Sequence, residues 1–130
     1  MIASGAYNYI NVLEKVADAS WTRHSVISNN IANVDTPGYK RKDVQFESYL
    51  QEELSGGASL DEEVAGADLE LMNGNTYTDY GTVSYRLDGN NVDIDTENSY
   101  LAQNQIKYYT VLNSISQEFS RLNSVIKTPG

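Results

Sequence analysis

The sequence contains no cysteine and a single histidine among its 130 residues. Disulfides and thiolate metal sites are therefore excluded. No apolar stretch approaches the length of a membrane span. The first charged residue is Glu14 and no basic segment precedes it, so we expect no secretory signal peptide. Taken alone, these features predict a cytoplasmic protein.

Basic residues are also scarce, since nine Lys and Arg stand against 18 Asp and Glu and the net charge is −9. Nucleic acids and anionic membranes bind cationic faces, so neither is an expected partner. We interpret the one basic cluster, Lys40-Arg41-Lys42, as a solvated part of a loop. Hydrophobic residues make up 40% of the chain, and tyrosine dominates the aromatics with ten copies. This composition favours interfaces over a large dry core.

The N-terminal segment, residues 1–35, has the apolar heptad pattern of a packed helix. Small and polar residues in the middle of the pattern would let a neighbouring helix approach closely. His24 lies on the same stripe, and a packed, hydrogen-bonded histidine is favoured over a catalytic base because no nucleophile pattern accompanies it. The expected packing residues of this helix are Ile10, Leu13, Ala17, Ile27 and Ile31.

The C-terminal segment, residues 95–130, has a stronger pattern, with apolar steps of four and three that continue without interruption. Asp95 is the expected N-cap, and Glu97 in the first turn suits the helix dipole. No glycine or proline lies between Asn90 and Thr128. The expected packing residues of this helix are Leu101, Tyr108, Leu112, Ile115, Phe119, Leu122 and Ile126.

The middle of the chain, residues 36–94, is predicted to be a loop that contains a short β-hairpin. Residues 47–75 are acidic, lack Lys and Arg and include a Ser-Gly-Gly-Ala-Ser run, so we expect disorder there in the free chain. Residues 76–78 and 82–85 have β character, and Asp88-Gly89 predicts a tight turn. The expected fold class is mainly α, with two long terminal helices that pair as a coiled-coil-like unit and leave apolar surface for neighbours.

No arrangement of residues suggests a catalytic site, a cofactor site or a metal site, so we predict that the protein is not an enzyme. A calcium loop read from Asp93 would need glycine at position 98 and glutamate at position 104, and both are asparagine. The acidic residues of the middle segment are better interpreted as a solvated loop than as acid/base pairs.

The stretch NNIANVDTPGYKRKDVQF, residues 29–46, breaks the first helix and continues with a β-like tail. Pro37-Gly38 fits the centre of a type II turn in which Gly38 takes a positive φ. The three asparagines at positions 29, 30 and 33 can cap the last carbonyl groups of the helix or reach a neighbouring chain. A helix end with a turn needs only the Pro-Gly pair, so these additional residues call for a further explanation.

With the preceding serine, this stretch resembles the N-terminal signature of bacterial flagellar rod and hook proteins, whose core reads Asn-Ile-Ala-Asn-x-x-Thr-x-Gly-Tyr. The segment that starts GNNVDIDTENSY is also similar to that family, and the two ends cover roughly half to two-thirds of the chain. Within the family the sequence looks like the proximal rod members, with Val34 and Arg41 at positions where Ala is expected or common. The residues assigned to the assembly motif are Asn29, Asn30, Ile31, Asn33, Asp35, Thr36, Pro37, Gly38, Tyr39, Asp43, Val44 and Phe46.

The resemblance implies a structural subunit that polymerises helically with copies of itself and other axial proteins into a hollow drive shaft. That shaft transmits torque and conducts exported subunits. The resemblance also implies export through the flagellar type III channel without a cleaved signal peptide. The implied location is the basal-body rod, on the periplasmic side of the inner membrane, beside the rod adaptor FliE, the membrane ring and the export gate.

On this interpretation the three asparagines lock the junction after the first helix. The break then turns the chain out of the helical layer and projects several side chains toward adjacent subunits. These are Tyr39, Lys40, Arg41, Lys42, Val44 and Phe46.

Three alternatives remain open at this point. One is a cytoplasmic coiled-coil adaptor or chaperone, which would need the heptads but not the signature at 29–46. Another is a sibling axial protein from a different rod segment. The third is a small hydrolase that uses acidic residues.

Overall fold

The computed structural model describes residues 2–47, 75–80 and 86–127. Two long helices pack along each other in opposite directions, and a two-stranded sheet lies beside the first helix. The elements in chain order are α1 (Ile2–Ala32), β1 (Lys42–Gln45), β2 (Asn75–Thr78) and α2 (Ile94–Lys127). The expected mainly-α class with two terminal helices in contact is confirmed. The disorder expected within 47–75 and the strand expected at 82–85 lie outside the described residues, except for the end positions 47 and 75.

The first helix ends at Ala32 and is followed by the turn that the sequence predicts. The Tyr39 N–H donates to the Thr36 carbonyl at 3.2 Å, which closes a four-residue turn around Pro37 and Gly38. Gly38 has a φ of +72°, a conformation that costs a residue with a Cβ about 1–2 kcal/mol. The turn after α1 is therefore confirmed.

The N-cap of the second helix lies two residues earlier than the sequence suggests. The Asp93 carboxylate accepts hydrogen bonds from the backbone N–H groups of Asp95 at 3.0 Å and Thr96 at 3.4 Å, which makes Asp93 the N-cap. The prediction that Asp95 is the N-cap is wrong, because Asp95 already lies within the helix and donates to the cap. With 34 residues, α2 is about 51 Å long.

The sheet joins two parts of the chain that are distant in sequence. Strand β1 pairs antiparallel with β2, with Lys42 opposite Thr78 and Gln45 opposite Asn75. The strand expected at residues 76–78 is therefore present, and its partner is the tail of the 29–46 stretch. A tight turn at Asp88-Gly89 is also present, with Gly89 at a φ of +79°.

The apolar core is small and lies between α1, α2 and the end of β1. Its buried members come mostly from α1, with one residue from α2 and one from the chain after β1. Leu13, Val44, Tyr108 and Ile115 pack against it while half-buried. The buried members are Val12, Val16, Ala17, Ala19, Phe46 and Val111.

On α1 the expected packing stripe faces inward. Ile10, Ala17 and Ile27 are buried, and Leu13 and Ile31 are half-buried. The stripe is wider than the heptad pattern alone indicates, since its neighbours also contact the segment after β1. Helix α1 therefore packs on two sides at once.

On α2 the face that contacts α1 is rotated from the expected stripe. Tyr108 and Ile115 are half-buried and Leu122 is buried, but the buried positions also include Asn104 and Val111. Asn104 Nδ2 donates to the carbonyl of Ser20 at 2.8 Å across the helix pair, so this polar side chain occupies the contact. Leu101 is half-buried.

The remaining expected residues of α2 lie on an adjacent apolar stripe that α1 leaves uncovered. Leu112, Phe119 and Ile126 are 39%, 46% and 72% exposed. We call these three residues the open stripe. Over the described residues, neither helix has a segment apolar enough to cross a membrane.

The rotation of α2 predicts that two adjacent alanine substitutions lower the free energy of unfolding by different amounts. Val111→Ala should lower the free energy of unfolding by about 2 kcal/mol, because it removes buried methyl groups from the core. Leu112→Ala should lower it by about 1 kcal/mol or less in the isolated chain, because Leu112 is 39% exposed and lies outside the buried core. Urea unfolding followed by circular dichroism measures both. A larger loss for Leu112→Ala would show that α2 packs in the register of the simple heptad.

Candidate assembly junction

The end of α1 and the start of α2 meet at a polar junction. Residues 33–45, 75–80 and 86–93 connect the two helices there, and we call these three segments the junction module. The signature stretch 29–46 supplies most of the first segment, while the GNNVD run supplies the last. The side chains that join the segments are mostly asparagine, arginine and carboxylates.

Asn30 connects α1 to β1 and to α2. Its buried amide forms a two-way pair with the Lys42 peptide: Nδ2 donates to the Lys42 carbonyl at 2.7 Å, and Oδ1 accepts from the Lys42 N–H at 2.9 Å. Nδ2 also donates to the Glu97 carboxylate at 3.1 Å. The Asn30 side chain therefore pairs with the β1 backbone as a neighbouring strand would, and it also binds α2.

The other two asparagines act around the break itself. Asn33 Nδ2 donates to the Asn29 carbonyl at 2.8 Å, near the end of the helix. Asn29 Nδ2 donates to the Tyr39 hydroxyl at 3.2 Å, and that hydroxyl donates to Asn30 Oδ1 at 3.2 Å. Burial raises the pKa of Tyr39 above its ordinary value, which keeps this hydroxyl protonated and able to donate. All three asparagines thus bind within their own chain.

Asn90 closes the end of α1 from the other loop. Its Nδ2 lies within hydrogen-bond distance of three carbonyls, those of Asn33 at 2.9 Å, Val34 at 3.0 Å and Thr36 at 2.8 Å. Its Oδ1 accepts from the Val92 N–H at 2.8 Å. These carbonyls belong to the turn that follows α1, so Asn90 ties that turn to the loop before α2.

Asn91 binds the residue just before β1 and the residue just after β2, and so joins both strands to the loop that precedes α2. Its Oδ1 accepts from the Arg41 backbone N–H at 2.7 Å, and its Nδ2 donates to the Asp79 carbonyl at 2.8 Å. Neither Asn90 nor Asn91 is among the residues selected from sequence. The available signal was two adjacent asparagines directly after the Asp88-Gly89 turn.

At the centre of the junction lies the buried side chain of Arg41. It donates to Glu97 at 2.5 Å, to Asp79 at 3.0 Å and to Asp43 at 3.1 Å. The three carboxylates come from the start of α2, from the residue just beyond β2 and from β1. The interpretation of residues 40–42 as a solvated basic cluster is therefore wrong for Arg41, because its charge is matched inside the protein.

A second arginine completes this cluster. Arg23, on α1, donates through Nε to Asp43 at 2.9 Å. The guanidinium groups of Arg23 and Arg41 lie 5.4 and 5.5 Å from the ring centroid of Tyr100, within the range of cation–π attraction. The sequence pattern gave no reason to select Arg23 or Tyr100.

For both Arg41 and Asp43, the hydrogen bonds together have a larger effect on the pKa than burial has. Burial alone would raise the pKa of Asp43, but hydrogen bonds from Arg23, from the Val44 N–H and from Arg41 lower it below its ordinary value. Burial would likewise lower the pKa of Arg41, but its bonds to Glu97 and Asp43 raise it. Both groups are therefore charged at neutral pH.

The structure contradicts the expectation that the tail of the break points to adjacent subunits. Phe46 is 5% exposed in the core of its own chain, and Val44 packs against the same core. Tyr39 and Arg41 bind inside the junction, and Lys40 donates to the Gly89 carbonyl. The reason is that β1 lies against α1, so alternate side chains of the strand turn inward. The exposed residues of the tail and the preceding turn include Lys42 and 35–38.

His24 lies outside the junction, midway along α1. It is half-buried, and its ring stacks on Trp21 with a centroid distance of 5.5 Å and an interplanar angle of 10°. Both rings line a groove of about 220 Å³ together with side chains of α2, including Asn104 and Tyr108. Across the described ranges, no cluster of three or more His, Asp or Glu side chains is arranged to hold a metal ion.

Asn90 offers a sharp test of the junction. Asn90→Ala should lower the free energy of unfolding by about 2–3 kcal/mol, because the buried Val92 N–H loses its acceptor and three carbonyls of the turn after α1 each lose one donor. Asn90→Asp should cost more at neutral pH, since it places a carboxylate against three carbonyl oxygens. Urea unfolding measures both, with Asn113→Ala as the matched control on the exposed face of α2. Equal effects at positions 90 and 113 would contradict the role assigned to Asn90.

The comparison with known proteins agrees with the signature and extends over most of the chain. The family model for the flagella basal body rod protein matches residues 19–40, the second half of α1 and the break after it. The chain is 36% identical to the flagellar basal body rod protein FlgB of Bacillus subtilis over 118 residues, which cover 90% of this chain and 92% of that protein.

Two further relatives have the same name. The identity to FlgB of Borreliella burgdorferi is 33% over 132 residues, covering 94% of this chain and 93% of that protein. The identity to FlgB of Salmonella typhimurium is 32% over 117 residues, covering 81% and 83%. From this shared length and identity, the chain belongs to the flagellar basal body rod protein family, which is structural and not enzymatic.

Proposed function

We propose that this structural subunit of the proximal rod polymerises helically, with copies of itself and with other axial proteins, into a hollow shaft. The helix pair forms the repeating unit of that shaft, and the junction module sets the direction in which each pair is joined. The assembled shaft transmits torque and conducts exported subunits. The observation that carries this proposal is the open stripe on α2, which α1 leaves uncovered.

The open stripe supports assembly because a helix with two adjacent apolar stripes can contact two neighbours. In the isolated chain, α1 covers only the stripe that contains Val111 and Leu122. Leu112, Phe119 and Ile126 repeat at intervals of seven residues along the other stripe. Burying this second stripe against an adjacent subunit would stabilise a polymer by the hydrophobic effect.

The outer face of α2 supports a role as the lining of a channel. Among the exposed residues of α2 from 98 to 126, Arg121 is the single charged side chain, although about 25% of the residues of an ordinary domain are charged. A largely uncharged wall neither attracts nor repels a passing chain of either charge. Most residues of this face are small or polar, with Ile106 exposed among them. They include Ser99, Thr110, Asn113, Gln117, Ser120 and Ser124.

We place the subunit at the base of the rod, on the periplasmic side of the inner membrane. Its partners there are the rod adaptor FliE, the membrane ring and the export gate, together with the next rod subunits. Export occurs through the flagellar type III channel without a cleaved signal peptide. Membership of the rod family and the absence of cysteine support this route, since a chain without disulfides can pass a narrow channel unfolded.

Membership of the rod family excludes the cytoplasmic adaptor and leaves the subunit of another rod segment as the alternative to compare. An adaptor would also need paired helices but no open stripe on α2. A different rod segment would use the same stripe with other neighbours, so it differs from the proposal in partners and not in mechanism. The FlgB relatives favour the proximal segment.

Introducing a charge on the open stripe tests the proposal. Phe119→Glu should abolish rod assembly and swimming, because the carboxylate would be buried without a partner at a cost of several kcal/mol. In the free chain Phe119 is 46% exposed, so folding should be unaffected. Swimming in soft agar and the amount of subunit in isolated basal bodies are measured in cells that lack the native gene.

The matched control is Gln103→Glu, which adds the same charge to an exposed position on another side of α2. It should swim as the unmodified protein does, and both variants should reach the export apparatus in equal amounts. Normal basal bodies with Phe119→Glu would contradict the proposed contact. Equal loss in both variants would show that α2 tolerates no added charge and would remove the argument from the open stripe.

A further inference from the structure

The charges of the junction are concentrated around one guanidinium group. Arg41 binds Asp43, Asp79 and Glu97, and Asp43 is shared with Arg23. Each carboxylate belongs to a different part of the chain, so the full set of ion pairs exists only when all parts are docked. Counting the two arginines against three carboxylates, the cluster has an excess of one negative charge.

Within the described residues, the surroundings add further ionisable groups to the cluster but no further cation. Asp93 and Thr96 line a cavity of about 140 Å³ beside Arg41 and Glu97. The titratable and charged groups that face the cluster are Arg23 from α1; Tyr39, Asp43, Tyr77 and Asp79 from the loop and strands; and Asp93, Glu97 and Tyr100 from the start of α2. Removing the charge of Arg41 would therefore leave an uncompensated group of carboxylates.

The middle of the helix pair is held differently. Asn104 donates to the Ser20 carbonyl, and Val12, Val16 and Val111 pack together. These contacts are uncharged, and the ion pair of Lys107 with Glu47 lies at the surface, where its contribution is small. Acid should therefore act on the junction module before it acts on the middle of the helix pair.

We propose that the Arg41 cluster is an acid-sensitive latch that fastens the junction module to the ends of the two helices, and that opening it releases the module while the helices stay paired. Protonation of Asp43 removes a charge-assisted partner that Arg41 and Arg23 share, which weakens both of these ion pairs. The latch is a property of this fold and is independent of the proposed assembly.

The direction of the pH effect follows from Asp43. Its pKa in the folded chain lies below the ordinary value of 3.8, so its stabilising contribution is complete above that value. It is lost as the pH falls through the folded-state pKa. For each unit by which the folded-state pKa of Asp43 lies below its ordinary value, the opening equilibrium of the module changes by about tenfold over the whole titration. Arg41, with its raised pKa, remains charged throughout this range.

Hydrogen exchange resolved by residue, read as protection factors between pH 7 and pH 3, tests the latch. In the unmodified chain, the amides of Gly38 and Asn91 should lose protection severalfold by pH 3, while those of Ala17 and Val111 keep theirs. The control is Arg121→Met, which removes an exposed ion pair with Glu118 and should leave the profile unchanged.

Arg41→Met should reverse the sign of the pH effect. Its module should be poorly protected at pH 7, where the carboxylates repel one another, and should gain protection as the pH falls toward 4. Arg41→Lys keeps the charge with fewer donors and should retain the original sign with a smaller amplitude. Both outcomes together support the latch.

Three results would overturn it. In the first, Arg41→Met loses protection in acid as the unmodified chain does, or stays unprotected at every pH while Arg41→Lys is unaffected. In the second, the module and the helix pair lose protection together at one pH. In the third, the module of the unmodified chain has no protection at pH 7.

Discussion

The matching of the buried Arg41 charge by Glu97 constrains the whole junction. A guanidinium removed from water is costly unless its donors and its charge are satisfied. Here that requirement joins β1, the residue beyond β2 and the first turn of α2, which are 2, 38 and 56 residues away along the chain. Such ion pairs add little net stability compared with apolar packing, but a wrong docking leaves a charge unpaired. The cluster therefore selects one arrangement of the segments.

The neutral part of the junction solves a related problem with amides. Backbone carbonyl groups that leave a helix need hydrogen-bond partners, and Asn90 donates to those of the turn after α1 while Asn30 binds the next strand. In the part of the chain that the structure describes, every buried side-chain nitrogen or oxygen has a hydrogen-bond partner. Because the apolar core is small, the angle between the helices and the strands depends on these polar contacts more than on the shape of the core.

Local sequence patterns predicted the helices, the turn and the strand at 76–78, but the contacts of the junction join residues that are distant in sequence. The heptads of both helices, the positive φ of Gly38 and the strand at 76–78 follow from interactions between residues close in sequence. Two aspartates two positions apart could each cap α2, and only the backbone direction selects Asp93. The rotation of α2 depends on Asn104, whose partner Ser20 is 84 residues away. Arg41 gave no sign of burial, because two of its three carboxylates, Asp79 and Glu97, are 38 and 56 residues away along the chain.

The two ends of the helix pair therefore differ in whether their contacts are completed within the chain. At the junction, hydrogen bonds and ion pairs are completed within the chain, and such contacts require fixed distances and angles. Along the open stripe, apolar side chains remain exposed, and apolar contacts tolerate small changes in angle and spacing. A subunit in a rod must hold one internal geometry while it contacts neighbours that are not all identical. Polar contacts within the chain and apolar contacts between chains meet these two demands separately.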